Sequence, residues 1–225
     1  ASCGRHSLKI LRAEVRAGDP AGLGPAWSSP VRRVQRRASV VRTFVAVFPP
    51  IEISRKLGDG IREFRERVPD AKWVRPENFH FTLRFLGDLP EERLDLLMRC
   101  VAESVRGDAP FQLTLTGLGA FPSARKPRVL WVGTDAGGER LSLLARAVET
   151  RLRAERFGKA DKRFSPHLTI ARWRRPPWDD AVEKLIETAA LEAGPFPVAA
   201  VRVMESKLRP QGPEYITRAE CPLEG

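Results

Sequence analysis

The sequence predicts an α+β fold built on two related strand units. Short apolar strands are mixed with amphipathic helices in no regular strand–helix–strand order, and the chain closes on a pair of strands, which disfavours a doubly wound parallel sheet. A His-x-Thr tripeptide also occurs twice in strand-like surroundings, 87 residues apart. Two strands of one kind in two parts of the chain suggest a duplicated unit whose polar faces meet across a cleft.

The elements follow from periodicity. TFVAVF over 43–48 is a short apolar run stopped by Pro49-Pro50, which suits a buried strand. Residues 51–68 carry apolar side chains at 53, 57, 61, 64 and 68, a helical spacing. FHFTLRFLG over 79–87 alternates with period two, and 90–105 is a helix with a Leu-rich face. Strands are predicted at 111–118 and 129–134, a long helix at 139–157, a strand at 167–172 and a helix at 178–191. Two closing strands are placed at 198–208 and 215–221.

The 225 residues allow one large domain or two small ones. Hydrophobic residues at 42% and charged residues at 30% describe a globular chain and exclude collagen-like, coiled-coil and fully disordered classes. No apolar stretch reaches the roughly 18 residues of a membrane span. Cys3, Cys100 and Cys221 are odd in number and contain no CxxC pair, so a disulfide framework and a four-cysteine zinc site are disfavoured. A cytoplasmic, reducing location is the expectation.

The net charge of +11 is uneven: +6 falls on residues 1–40 and +5 on 41–225. A basic surface favours a polyanion such as RNA, although a solvated surface has the same composition. Residues 1–40 hold a Pro/Gly/Ala stretch and a basic patch with no persistent period, and are expected to be a disordered or non-native extension. Because pattern begins abruptly at Val41 and the first Met is Met98, we expect translation to start at Val40 or Val41. Residues 41–225 are expected to form a single domain.

Only three histidines occur, and two open the same pattern: His80-Phe81-Thr82-Leu83 and His167-Leu168-Thr169-Ile170. With nine Thr in the chain, two of three His gaining a Thr two places on has chance odds of roughly half a per cent. Alternation places His80, Thr82 and Arg84 on one strand face, with Phe79, Phe81, Leu83 and Phe85 on the other. His167 and Thr169 likewise oppose Leu168 and Ile170. One imidazole can be neutral while the other is protonated, which is what paired general-base and general-acid work requires. The Thr hydroxyls can donate to phosphate oxygens. A lone strand His is more often structural than catalytic, but matched partners on matched strands reverse those odds. A zinc site lacks a third ligand, and no G-x-S-x-G elbow, P-loop or G-x-G-x-x-G is present.

FHFTLRFLGDLP and RFSPHLTIAR resemble the two signature segments of the 2H phosphoesterases, and in particular the RNA 2′,3′-cyclic phosphodiesterases long called 2′-5′ RNA ligases. RTFVAVFPP, KWVRPENFHFTLRFLG and FPSARKPRVLWVG extend the resemblance over nearly all of 41–225. It implies two pseudo-symmetric lobes, each a mainly antiparallel sheet with helices on its outer face, and an active-site cleft between them. It further implies His80 as proton donor and His167 as proton acceptor, with Thr82 and Thr169 on the scissile phosphate. Arg172 matches a family arginine near the phosphate. Strand parity alone turns Arg172 away from His167, so this position requires a bulge or the strand's end. Phe164 is a candidate for stacking on the terminal base, and Arg128, Trp131 and Arg84 are candidate cleft residues. The alternative for these aromatics and Arg128 is core packing and a solvated cation.

The implied activity is metal-independent opening of a terminal 2′,3′-cyclic phosphate on RNA to a 2′-phosphate, with no cofactor and weak reversible 2′-5′ ligation. The implied partners are RNA ends, tRNA fragments among them, with the protein a monomer. Two rivals stay open: a phosphodiesterase for a small cyclic nucleotide or ADP-ribose cyclic phosphate, and a non-catalytic RNA-binding protein.

Overall fold

A computed structural model describes residues 39–177 and 180–225. Nearly all of the predicted 1–40 extension therefore lies outside the described residues, as do Trp178 and Asp179 at the start of the predicted 178–191 helix. Regular structure begins slightly earlier than the sequence pattern suggests. The Ser39 carbonyl accepts a 2.9 Å hydrogen bond from the Glu91 amide, and β1 (Val40–Val47) follows at once.

Strand β1 is rich in β-branched and aromatic residues and ends before Pro49-Pro50, whose missing N–H groups cannot continue a ladder. Its two faces serve different partners. Val45 and Val47 join the main core, whereas Phe44 and Ala46 form a small second cluster with Met204, Phe48 and Tyr215.

The predicted 51–68 helix is two helices, α1 (Ile51–Gly60) and α2 (Arg62–Arg67), parted at Ile61, where φ is −92° and ψ 5°. Gly58, Asp59 and Gly60 are poor helix residues immediately before the break, and the kink lets Ile61 and Phe64 both bury. After β2 (Lys72–Trp73), strand β3 (Phe81–Pro90) leads into α3 (Leu94–Ser104). Helix α3 buries Leu94, Leu97, Cys100 and Val101 at three- and four-residue intervals. Strands β4 (Phe111–Phe121) and β5 (Val129–Thr134) precede the long α4 (Gly138–Ala154). The chain ends with β6 (Leu168–Arg172), α5 (Ala181–Thr188), β7 (Glu192–Val198), β8 (Ala200–Arg209) and β9 (Gly212–Pro222). Strand β7 was not predicted. Pro195 and Pro197 give it the composition of a loop, and it is tolerated because β7 is an edge strand.

Two sheets result, of order β3-β1-β8-β9 and β2-β6-β5-β4-β7, and every pairing is antiparallel. The fold is α+β with one His-x-Thr strand in each sheet, as predicted. The sheets are not successive halves of the chain, however. The first is built from the two ends of the described chain, β1 and β3 with β8 and β9, while β2 and the middle strands build the second. Helix α3 packs on β8, β9 and α4, and α4 also packs on β3. Helix α1 packs on β7, and α5 on β4.

Candidate active site

The repeated tripeptides are built alike in atomic detail. Each histidine stands immediately before its strand, and each Nδ1 lies 2.7 Å from the carbonyl oxygen two residues earlier, Asn78 for His80 and Ser165 for His167. A carbonyl only accepts, so Nδ1 carries the hydrogen, and in the neutral ring Nε2 is left with its lone pair free. The local backbone thus sets the same tautomer at both sites.

A shared bulge follows. In β3, Thr82 pairs with Ala46 and Arg84 with Val45, leaving Leu83 extra. In β6, Thr169 pairs with Trp131 and Ala171 with Leu130, leaving Ile170 extra. Each bulge reverses the facing of the residues beyond it. This supplies what Arg172 required: it returns to the cleft face, and its Nη2 donates to Thr169 Oγ1 at 3.5 Å.

The same device moves Arg84 the other way. Strict alternation put it beside His80 and Thr82, but its register partner Val45 faces the main core. Arg84 is 6% exposed, with Nε 3.0 Å from Glu149 Oε2 on α4, and it does not line the histidine pocket.

Both motifs line one pocket of about 320 Å³. His80, Thr82, His167, Thr169 and Arg172 lie together there. Lys72, Trp73, Val74 and Arg75 come from β2 and the segment after it, and Gln211, Gly212, Pro213 and Tyr215 from the β8–β9 hairpin. Asn78 joins these parts, since its carbonyl holds His80 while its side-chain amide donates to the Pro213 carbonyl at 3.2 Å.

Aromatic rings enclose both imidazoles. Phe44, Phe48 and Tyr215 lie 5.0, 5.3 and 5.3 Å from the His80 ring, with Phe48 stacked and Tyr215 edge-on. Phe121 and Trp131 lie 5.1 and 6.3 Å from His167. Burial disfavours the charged imidazole. It is the main reason His80 falls to about 4; the Asn78 hydrogen bond opposes it, while the positive charges of Arg172 and His167 add to it. His167 is lowered too, chiefly by burial and further by Arg172, against the Ser165 hydrogen bond. Burial raises the Tyr215 phenol, with Arg172 and Arg42 pulling the other way.

The remaining candidates lie elsewhere. Trp131 stands beside His167 and packs over Gly119 rather than lining the pocket. Arg128 is exposed, donates to the Arg174 carbonyl and is absent from the pocket wall. Phe164 packs against the main core and lines a separate cavity with Leu83 and α4. Lys72, Arg75, Asn78, Gln211 and Tyr215 were missed from sequence. Tyr215 carried a faint signal as the only tyrosine in the chain, but a two-residue β2 and a hairpin tip offer no period to read.

Among the described residues no group of three or more His, Cys, Asp or Glu side chains is placed to hold a metal, and no helix is long and apolar enough to cross a membrane.

Two His-x-Thr strands from separate antiparallel sheets, opening on one basic pocket, define a two-histidine phosphoesterase architecture. The family profile described as LigT like Phosphoesterase matches the chain twice, over residues 51–131 and 132–215. The RNA 2′,3′-cyclic phosphodiesterase of Aquifex aeolicus is 34% identical over 83% of this chain and 99% of its own. That of Thermotoga maritima is 35% identical over 82% and 97%. Among solved structures, TT0787 of Thermus thermophilus superposes with a TM-score of 0.64 at 31% identity, covering 82% of this chain and 98% of that one. E. coli LigT complexed with 3′-AMP shares the fold, with a TM-score of 0.66 at 22% identity over 83% and 100% of the two chains. The chain belongs to the LigT-like 2H phosphoesterases, the family of the RNA 2′,3′-cyclic phosphodiesterases.

Proposed function

We propose that this protein opens the 2′,3′-cyclic phosphate at an RNA end to a 2′-phosphate by paired histidine catalysis, without a metal. One observation carries the reading: two imidazoles with identically fixed tautomers share a pocket with two Thr hydroxyls and Arg172. The names of the full-length relatives support the substrate class.

Water attacks phosphorus as the bond to the 3′ oxygen breaks. His167 takes the water proton on Nε2, and His80, protonated, gives its proton to the departing 3′ oxygen. Thr82, Thr169 and Arg172 donate to the non-bridging oxygens, where charge grows in the transition state. In the free enzyme burial makes His80 the harder ring to protonate. The phosphate monoanion brought by the substrate supplies the opposite charge that favours the His80 imidazolium. A 5′-hydroxyl in place of water would make a 2′-5′ link by the same displacement, the route we propose for weak, reversible ligation.

The test is incubation of a short RNA ending in 2′,3′-cyclic phosphate with the protein and EDTA. A 2′-phosphate product, lost in both His80→Ala and His167→Ala, is expected. Near-normal turnover by either variant, or EDTA inhibition relieved by zinc, overturns the mechanism. Turnover confined to small cyclic nucleotides moves the substrate assignment to that class.

A further inference from the structure

The pocket of about 320 Å³ sits at the small end of ligand pockets, roughly 300–1,000 Å³, and suits one nucleotide rather than an oligonucleotide. An RNA whose last nucleotide fills it must lay its preceding nucleotide on the protein surface outside. Resting on the RNA reading above, we propose that Phe85 and Arg42 form a subsite for that preceding nucleotide, Phe85 stacking on its base and Arg42 meeting its phosphate.

Phe85 is to His80 what Arg172 is to His167: five residues on, past the bulge, and turned back to the cleft face. Its register partner is Phe44, whose ring touches both His80 and Tyr215, and directly paired antiparallel residues share a face. Where the second motif returns a cation to the phosphate, the first returns an aromatic ring.

That ring is 44% exposed. Phe85 and Phe121 are the two exposed large aromatic side chains among the described residues, and Phe121 is committed edge-on to His167. The ring contact of Phe85 is with Arg42, whose guanidinium lies 4.8 Å from the centroid. Arg42 is weakly held otherwise, 3.9 Å from an exposed Asp88 carboxylate. An arginine over an exposed ring beside a phosphate pocket is the combination used for single-stranded nucleic acids: a stacking surface tolerant of sequence, with a cation beside it. A base can take the place of the guanidinium on the ring and leave Arg42 free for the phosphodiester. Phe85 lies three residues along β3 from Thr82, about 10 Å at roughly 3.3 Å per residue, within reach of the next nucleotide.

The test compares kcat/KM for a trinucleotide ending in 2′,3′-cyclic phosphate with that for a nucleoside 2′,3′-cyclic phosphate. The wild type is expected to prefer the trinucleotide. Phe85→Leu keeps an apolar side chain without the aromatic face and lowers the trinucleotide-to-mononucleotide ratio about tenfold, whereas Phe85→Trp preserves it. Arg42→Gln lowers the ratio and flattens its dependence on salt. A ratio unmoved by Phe85→Leu, or equal losses on both substrates, overturns the subsite. A wild type that turns over the mononucleotide as well as the trinucleotide overturns the subsite and leaves the phosphodiesterase reading standing. No turnover of either substrate overturns both.

Discussion

Arg84 Nε lies 3.0 Å from Glu149 Oε2, and this pair ties the strand of the first histidine to the segment that delivers the second. Arg84 Nη2 donates to the Gly158 carbonyl at 3.3 Å, and Glu149 Oε1 accepts from the Ala160 amide at 2.9 Å. Both anchors hold the connection from α4 to the motif of His167. Arg84 thus braces this connection from outside the histidine pocket.

Removing one member leaves an unpaired charge in a largely buried setting, at a cost of about 3–5 kcal/mol when burial is complete. Arg84→Met and Glu149→Gln are each expected to lower Tm. The double variant Arg84→Met/Glu149→Met should recover much of the stability, because no lone charge remains, yet both loop anchors stay lost. Its kcat should stay about tenfold down with KM within about twofold. Recovery of kcat together with Tm would reduce the pair to a purely structural role.

Arg172 owes its place to the Ile170 bulge, and its positive charge bears on His80 and His167 alike. A charge-assisted hydrogen bond contributes about 1.5–3 kcal/mol, so Arg172→Met should lower kcat/KM about 10- to 150-fold. Arg172→Lys keeps the charge without the planar fork and should fall between. Steady-state kinetics that leave Arg172→Met near wild type would remove it from the phosphate site.

The bulges explain which parts of the site were legible. His80, Thr82, His167 and Thr169 precede the extra residue, so simple alternation places them correctly. Arg84 follows it and was placed on the wrong face. The need for a bulge before Arg172 was visible only because a residue of expected role had the wrong parity. A bulge is a matter of pairing between strands far apart in sequence, and nothing in HLTIAR alone announces it. Residues reaching the pocket from the two-residue β2 and the β8–β9 tip were invisible for a related reason, since tertiary contact alone brings them there. The interleaving of the two chain ends in one sheet was hidden likewise.

Gly119 is paired with Trp131 across β4 and β5, and a Cβ built at 119 would stand 2.2 Å from the indole ring. The ring lies against the glycine and beside His167. Gly119→Ala must therefore displace the indole, an overpacking cost of about 1–3 kcal/mol. Tm should drop, and kcat should fall because His167 loses a wall of its enclosure. Gly119→Ala/Trp131→Leu should restore Tm by making room, with kcat still reduced. A Gly119→Ala protein with wild-type Tm would contradict the close approach.

The two histidines set the pH behaviour. Both are held below the ordinary imidazole value of about 6.5, His80 at about 4. In the proposed mechanism the productive form for kcat/KM has one ring protonated and one neutral, and in the free enzyme it is most populated between the two apparent pKa values, both below 6.5. The kcat/KM profile should be a bell centred below pH 6.5. The kcat profile should lie further to the alkaline side, because the bound phosphate raises both rings. A kcat/KM optimum above 7 would contradict the lowering.

Stability follows the same linkage. An imidazole with a lower pKa folded than unfolded binds its proton better in the unfolded chain, so its contribution is complete above about 6.5 and is lost as pH falls toward about 4. Arg172→Met raises both pKa values and should move the kcat/KM bell upward. His80→Asn, which cannot charge, should flatten the loss of Tm between pH 6.5 and 4. An unaltered acid slope in His80→Asn would mean that the ring does not stay neutral in the folded protein.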